Sequence, residues 1–290
     1  MSAGKIWALL GTAIFLLSVS GAEAKPPMGA RSNELPMEVY GGYLVVIDGR
    51  IGELQGLKFL LDTGATSTAI DRKLANRLRL ARRPGRLISF DKEVSVEWSE
   101  VPELTYGAEQ FSDVPVIVQD MQYFLAMGIH VDAVIGWNLL KEGSFQLDFA
   151  RKKVVFGQIG NFEGRAVPMR PQALFLTVQV EIHGRSMPMI ADTGMLGTTF
   201  YEDSLREMRG RDVAGSHTVG TSVGGTVKSR NVLVPQLRLG DQELDREVYL
   251  VQRPQSESLR GVAGYLGISS LEAKEVSFDF ERNELKWRKR

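Results

Sequence analysis

Two carboxylates in this chain occupy positions where carboxylates are costly. "FLLDTGATST" (Phe59–Thr68) runs three apolar residues straight into Asp62-Thr63-Gly64. "MIADTGMLGTTF" (Met189–Phe200) does the same at Asp192-Thr193-Gly194. An acid that ends an apolar run loses hydration unless something pairs with it or uses it. Two such acids face to face have a use. Like charges about 3 Å apart cannot both ionise, so the pair shares one proton and its apparent pKa values split. The ionised member can deprotonate a bound water as general base, and the protonated member can serve as general acid. The neighbours suit this chemistry. Gly64 and Gly194 let two loops turn tightly and approach without Cβ clashes. Thr63 and Thr193 carry hydroxyls able to bond across the interface and lock both loops. The apolar strands keep the site dry, which strengthens every charge interaction in it.

The elements that must position these residues are written twice. Asp62 and Asp192 are 130 residues apart, and self-similarity surrounds them. "GYLVVIDGRIGELQGLKFLLDTG" and "LFLTVQVEIHGRSMPMIADTG" both read as a hairpin whose second arm delivers the acid, with turns at Asp48-Gly49 and His183-Gly184. Short helical stretches are expected next, in "AIDRKLANRLRL" and "YEDSLREM". "VPELTYGAEQFSDVPVIVQ" then matches "VPQLRLGDQELDREVYLVQ" almost position for position. Each half closes on two apolar residues and a glycine, Val134-Ile135-Gly136 and Tyr265-Leu266-Gly267. A short helix ("WNLLKEG", "ISSLEAK") and a strand ("SFQLDFARKKVVF", "VSFDFERNELKW") follow, with Asp148 and Asp279 in matching places. The expectation is an all-β, bilobal chain with a few short helices: a first lobe at 38–160, a linker at 161–167 and a second lobe at 168–290.

The N-terminus reads as an export signal. Lys5, an apolar stretch from Ile6 to about Val19 and Ala22-Glu23-Ala24 supply the charged region, the short hydrophobic region and an A-x-A cleavage site. Residues 1–24 are therefore expected to be removed, residues 25–37 to form a mobile leader, and the mature protein to be soluble in the periplasm or outside the cell. The stretch is short for a membrane span, though retention as an anchor is the alternative.

The matched elements resemble the pepsin-like and retropepsin-like aspartic peptidases, in the bacterial exported form with two retropepsin-like units in one chain. The residues that carry the likeness are Asp62-Thr63-Gly64 with Asp192-Thr193-Gly194, and the closing elements at 134–136 and 265–267. The resemblance implies a substrate cleft between two β lobes and peptide-bond hydrolysis without a cofactor or metal. It makes Asp62 and Asp192 catalytic, with Thr63, Gly64, Thr193 and Gly194 as the supporting loop, and puts Gly136 and Gly267 beneath the loops as packing elements. It also implies flap hairpins: one near Gly224-Gly225 in "HTVGTSVGGTVKSR", and one near Asp91-Lys92 in "ISFDKEVSVEW", which lacks glycines and should be stiffer or shorter. The substrate is a protein or peptide bound extended. One chain holds both acids, so a monomer suffices. The sequence departs from the gastric pattern after each D-T-G, where Ala65 and Met195 replace a hydroxyl residue. Losing a hydrogen bond to the ionised form raises a carboxylate's pKa, so a milder working pH is expected.

Composition narrows the alternatives. The 35 basic and 35 acidic side chains cancel, which argues against nucleic acid as partner. "KWRKR" (Lys286–Arg290) is the best candidate for a local basic patch, and the favoured reading of it is a solvated terminus. There is no cysteine, hence no disulfide, thiolate nucleophile or zinc knuckle. Three histidines without H-E-x-x-H spacing make a His-rich metal site an unsupported reading. Gly220-Thr221-Ser222-Val223-Gly224 spells the G-x-S-x-G elbow of serine hydrolases, but strand-like sequence follows it and no histidine comes later. The rival to an active peptidase is a peptide-binding module of the same fold with weak or no catalysis.

Overall fold

The structure is a computed structural model and describes residues 7–8 and 33–290, except 90, 91, 161, 207–211 and 223–224. The duplication seen in the sequence is repeated strand for strand. In the first lobe Asn33–Tyr40, Leu44–Ile51 and Leu54–Leu61 form an antiparallel meander. Leu54–Leu61 then lies parallel to Ala133–Ile135, which is antiparallel to Ala69–Asp71, which is parallel to Glu109–Gln119. Glu93–Tyr106 and Arg83–Ile88 extend the sheet antiparallel. The second lobe repeats this order with the same senses: Arg165–Pro171, Leu176–Ile182, Arg185–Asp192, Gly264–Gly267, Thr198–Tyr201, Glu247–Val251, Gly225–Leu233 and Asp212–Ser222. The fold is all-β and bilobal. Where Glu93–Tyr106 runs through Val101-Pro102 unbroken, the second copy stops at Val234-Pro235 and resumes as Leu237–Leu239.

The lobes are joined by more than a linker. A six-stranded antiparallel sheet runs Asn33–Tyr40, Lys153–Phe156, Phe145–Asp148, Ala273–Asp279, Glu284–Lys289, Arg165–Pro171. Its middle is the junction of the halves, with Phe145 opposite Phe278 and the rings stacked at 4.5 Å. Each outer strand does double service. Pro36 pairs into the central sheet while Met37 pairs into the first-lobe sheet, and Arg165 and Met169 do likewise in the second. Two expectations are corrected here. Residues 33–37 of the expected mobile leader are strand, because Leu35, Met37 and Val39 alternate inward with Glu34, Pro36 and Glu38 outward. Pro36 is tolerated because the strand lies at the edge of the central sheet. Residues 165–167 of the expected linker are also strand. Residues 25–32, and the expected cleavage point at Ala24, lie outside the described residues. One apolar core, with Phe59, Val101, Leu147, Phe278, Leu250 and Trp287 fully buried, continues through both lobes and the sheet between them.

The short helices appear where expected, with one exception. Asp71 caps the helix Arg72–Arg77 by accepting from the Lys73 N–H. Trp137–Leu140 is helical and its counterpart Ile268–Leu271 is a 3₁₀ turn. "YEDSLREM" is not helical as far as it is described: Tyr201 ends a strand and residues 202–206 are turn. The reason is a contact distant in sequence. Arg253 draws Asp203 and Ser204 into its own hydrogen-bond set and stacks over Tyr201, which fixes an irregular path. "KWRKR" is neither a free tail nor an open basic patch. Most of it is strand Glu284–Lys289, where Lys286 bonds Asp279, Arg288 pairs with Glu275 and Lys289 with Glu272.

Candidate active site

Both acids are delivered the same way. Asp62 follows the strand Leu54–Leu61 and its N–H donates to the Ile135 carbonyl at 3.0 Å. Asp192 ends the strand Arg185–Asp192 in parallel register with Gly267. Each loop therefore rides on its own lobe's closing element. The two loops are then tied to each other by four buried hydrogen bonds. Thr63 N–H donates to Thr193 Oγ1 at 3.0 Å and Thr193 N–H donates to Thr63 Oγ1 at 3.1 Å. The Thr63 hydroxyl donates to the Ala191 carbonyl and the Thr193 hydroxyl to the Leu61 carbonyl, both at 2.8 Å. Each threonine thus spends its hydroxyl as donor and acceptor across the pseudo-twofold, and both are fully buried.

The glycines are required by proximity. A Cβ on Gly64 would lie 2.2 Å from Asp192 Oδ2, and one on Gly194 would lie 2.6 Å from Asp62 Oδ2. Each carboxylate therefore lies over the glycine of the opposite loop. Neither glycine has a positive φ, so the missing side chain, not left-handed backbone freedom, is what the site uses. Gly136 and Gly267 lie under the loops. A Cβ there would come within 2.8 Å of the Ala65 carbonyl oxygen and 2.5 Å of the Met195 carbonyl oxygen respectively.

The two carboxylates share an address but not an environment. Asp62 Oδ1 accepts from Gly64 N–H at 2.9 Å and Ala65 N–H at 3.0 Å. Asp192 Oδ1 accepts from Gly194 N–H at 2.7 Å. Apart from the contact between the two carboxyls themselves, the Oδ2 atoms of both acids are buried with no donor beside them. Burial pushes Asp62 up to about 7, opposed by its contact with Asp192 and by the two backbone N–H groups. Burial pushes Asp192 up further, and the negative charge of Asp62 adds to it. With two backbone N–H donors against one, Asp62 is the better supported of the pair as the charged member. The arrangement can hold one proton between two oxygens and present one acid and one base to a water or a carbonyl.

The surroundings are apolar and closed. Met195 is fully buried in a second-lobe cluster with Ile190, Tyr201 and Tyr265. Ile88, from the first-lobe hairpin, packs on that cluster, and Leu196 packs on the first-lobe cluster around Leu60, Leu87 and Phe124. Each lobe thus sends an apolar side chain over to the other beside the acids, and both acids are wholly shielded from solvent. Two surface depressions, about 490 Å³ in the first lobe and about 780 Å³ in the second, are lined by neither acid. Among the described residues no group of three or more His, Asp or Glu is arranged to hold a metal ion.

The expected flaps are both hairpins. Arg83–Ile88 pairs with Glu93–Tyr106 from Arg83 opposite Trp98 to Ile88 opposite Glu93, and the Ser89 N–H closes the turn on the Lys92 carbonyl at 2.7 Å. Asp91 lies outside the described residues. Asp212–Ser222 pairs with Gly225–Leu233 up to Ser222 opposite Gly225, and Gly224 lies outside the described residues. Ser222 thus enters an antiparallel hairpin, not a strand-to-helix elbow, and the G-x-S-x-G spelling has no such geometry. Sequence reasoning missed the residues that hold the loops from behind. Asn138 Oδ1 accepts from both the N–H and the hydroxyl of Thr68. Its counterpart Ser269 accepts from Gly197 N–H and donates to the Met195 carbonyl. Each lies two residues past a closing glycine, so extending the internal alignment by two positions would have found them. Tyr123, whose buried hydroxyl has no partner, carried no such signal.

The duplicated architecture agrees with comparison to known proteins. A family model described as aspartyl protease matches residues 46–139 and again residues 178–269, one copy per lobe. A search of curated proteins finds no match. With both lobes matched over most of their length and an Asp-Thr-Gly loop in each copy, the chain belongs to the aspartyl protease family.

Proposed function

We propose that this protein is an aspartic endopeptidase that hydrolyses peptide bonds with a water activated between Asp62 and Asp192. One observation carries the proposal: two buried carboxylates, each over the other loop's glycine, have Oδ2 atoms with no donor outside the pair and unequal proton affinities. In the proposed cycle Asp62 is the carboxylate and takes a proton from the water as its oxygen attacks the scissile carbonyl carbon. Asp192 gives its proton to the carbonyl oxygen. The tetrahedral species collapses when the proton on Asp62 moves to the leaving nitrogen, the C–N bond breaks and the carbonyl oxygen returns its proton to Asp192. The dry, apolar surroundings strengthen the charges that develop.

The peptide lies extended between the lobes, beneath the hairpins at 83–98 and 212–233, adding main-chain hydrogen bonds to their strands. Entry requires the Ile88 hairpin to lift, since the acids are covered. Both acids belong to one chain, so the catalytic unit is a monomer. The N-terminal signal pattern supports export. No helix among the described residues is long and apolar enough to cross a membrane.

The test uses purified residues 25–290 with the Asp62→Asn and Asp192→Asn variants. Cleavage of an unfolded protein is followed from pH 3 to 7, with and without pepstatin. The expected result is cleavage by wild type alone, blocked by the inhibitor. Wild type that cuts nothing across this range, yet binds peptide, would make the protein a peptide-binding module of the same fold.

A further inference from the structure

Two buried tyrosine phenols feel the charges of the acids, and they are not equivalent. Tyr265 stands on the second-lobe side with Tyr201, their ring centroids 6.2 Å apart in an edge-on contact, so its phenol has a polar neighbour. Tyr123 stands alone on the first-lobe side. Its ring lies 4.3 Å from that of the fully buried Phe124, and its hydroxyl is buried without any hydrogen-bond partner. Buried phenols usually find one, so this exception needs a reason. The position is fixed, not incidental. The short helix Gln122–Leu125 is anchored at its start, where Met121 N–H donates to Asp71 Oδ2 and Gln122 N–H to Asp120 Oδ1. The ring packs on an apolar cluster that takes in Leu87, Val94, Val96 and Trp98 of the first-lobe hairpin, Ala65 of one acidic loop and Leu196 of the other. After burial, the negative charge of Asp62 is the main influence raising the phenol's pKa, so the hydroxyl stays protonated and available as a donor.

We propose that the Tyr123 hydroxyl is a specificity-determining donor for the substrate, satisfied by a neutral amide side chain, glutamine or asparagine, next to the scissile bond. The inference rests on the peptidase proposal above. The chemistry of the site selects this partner. The apolar cluster around the ring suits an apolar stem, and the unpartnered hydroxyl, within the influence of Asp62, asks for an acceptor. A carboxylate there would meet the charges of Asp62 and Asp120, the two acids that act on Tyr123. A purely aliphatic side chain would leave the hydroxyl unpaired, which a site built to bond a substrate group penalises.

The test starts from sites that wild type cuts in unfolded casein, identified by mass spectrometry. Peptides are made on one such site with Gln or Leu on either side of the cut bond. The Tyr123→Phe variant is expected to lose roughly tenfold in kcat/KM on one Gln peptide while staying within about twofold on its Leu partner. Its melting temperature should not fall, because the hydroxyl it lacks had no partner to lose. Equal effects on Gln and Leu peptides would overturn the inference and leave the peptidase proposal standing. A uniform loss with a lowered melting temperature would mark Tyr123 as structural and overturn it too. Wild type that cuts no peptide at all would take down the peptidase proposal and this inference with it.

Discussion

Replacing Asp62 with asparagine should stabilise the protein, and by an amount that depends on pH. In the folded state Asp62 is fully shielded from solvent and its pKa is raised from 3.8 to about 7, chiefly by burial. In the unfolded chain it titrates near its ordinary value of about 3.9. Between these two values the folded protein holds a proton that the unfolded chain releases. Stability therefore falls as pH rises through that window, and the loss is complete above about pH 7. A shift of about three units corresponds to about 4 kcal/mol at roughly 1.4 kcal/mol per unit. The asparagine of the variant keeps an acceptor for the Gly64 and Ala65 N–H groups and carries no charge to desolvate. It also removes the negative charge that helps raise Asp192, an effect in the same direction. Urea melts of wild type and Asp62→Asn at about pH 4, 5.5, 7 and 8 give the difference directly, and other titrating groups largely cancel. The gap should be near zero at about pH 4 and grow to about 4 kcal/mol by pH 8, which is roughly 10 °C in Tm for a chain of this size. A gap that stays constant with pH, or narrows as pH rises, would refute the reasoning, because Asp62 would then titrate as an ordinary carboxylate.

Thr63→Val removes a buried hydroxyl that both donates to Ala191 and accepts from Thr193; we expect a loss of about 2–4 kcal/mol in urea melts, with Thr63→Ser recovering most of it. Gly136→Ala forces a Cβ to within 2.6 Å of the Ser67 carbonyl carbon, whereas Gly143 has open space; the first should cost at least about 1–3 kcal/mol and most of the activity, the second less than about 0.5 kcal/mol. The raised proton affinities of both acids place the working range of the dyad above that of gastric-type sites; kcat/KM should peak well above about pH 3 and fall on the alkaline side as Asp192 deprotonates. A peak below about pH 3 would contradict the burial of the pair.

The pair of loops was legible in the sequence because it is written twice. An Asp-Thr-Gly after an apolar run is ambiguous once, but a second copy with its closing glycine at nearly the same distance leaves little room for chance. The lobes were legible for the same reason, since the strands between residues 33 and 156 have counterparts between 165 and 289. What stayed hidden depended on contacts between the halves. The strand at 33–37 has the alternation of a strand, yet its Pro-rich approach suggested a loose leader, and only pairing with Lys153–Phe156 turns it into structure. The short helix expected in "YEDSLREM" has the right composition, but Arg253, some 50 residues away, claims its first polar residues. Ala65 and Met195 were visible as departures from a hydroxyl. That Met195 is a fully buried core residue, and that Asp192 accepts one backbone bond where Asp62 accepts two, needed coordinates.

The central sheet has a consequence for how such a chain can be divided. Its midline is a single junction, Phe145–Asp148 against Ala273–Asp279, and every other strand in it belongs wholly to one half. A cut between residues 157 and 164 would sever no strand. The two fragments should then find each other in solution as a heterodimer, rebuilding the midline and the threonine ties together. Either fragment alone would bare an unpaired strand edge with a large aromatic on it, Phe145 or Phe278, and should aggregate or pair with a second copy of itself. If the fragments do reassemble, the covalent connection is dispensable for assembly and its contribution is to guarantee that two unlike halves meet.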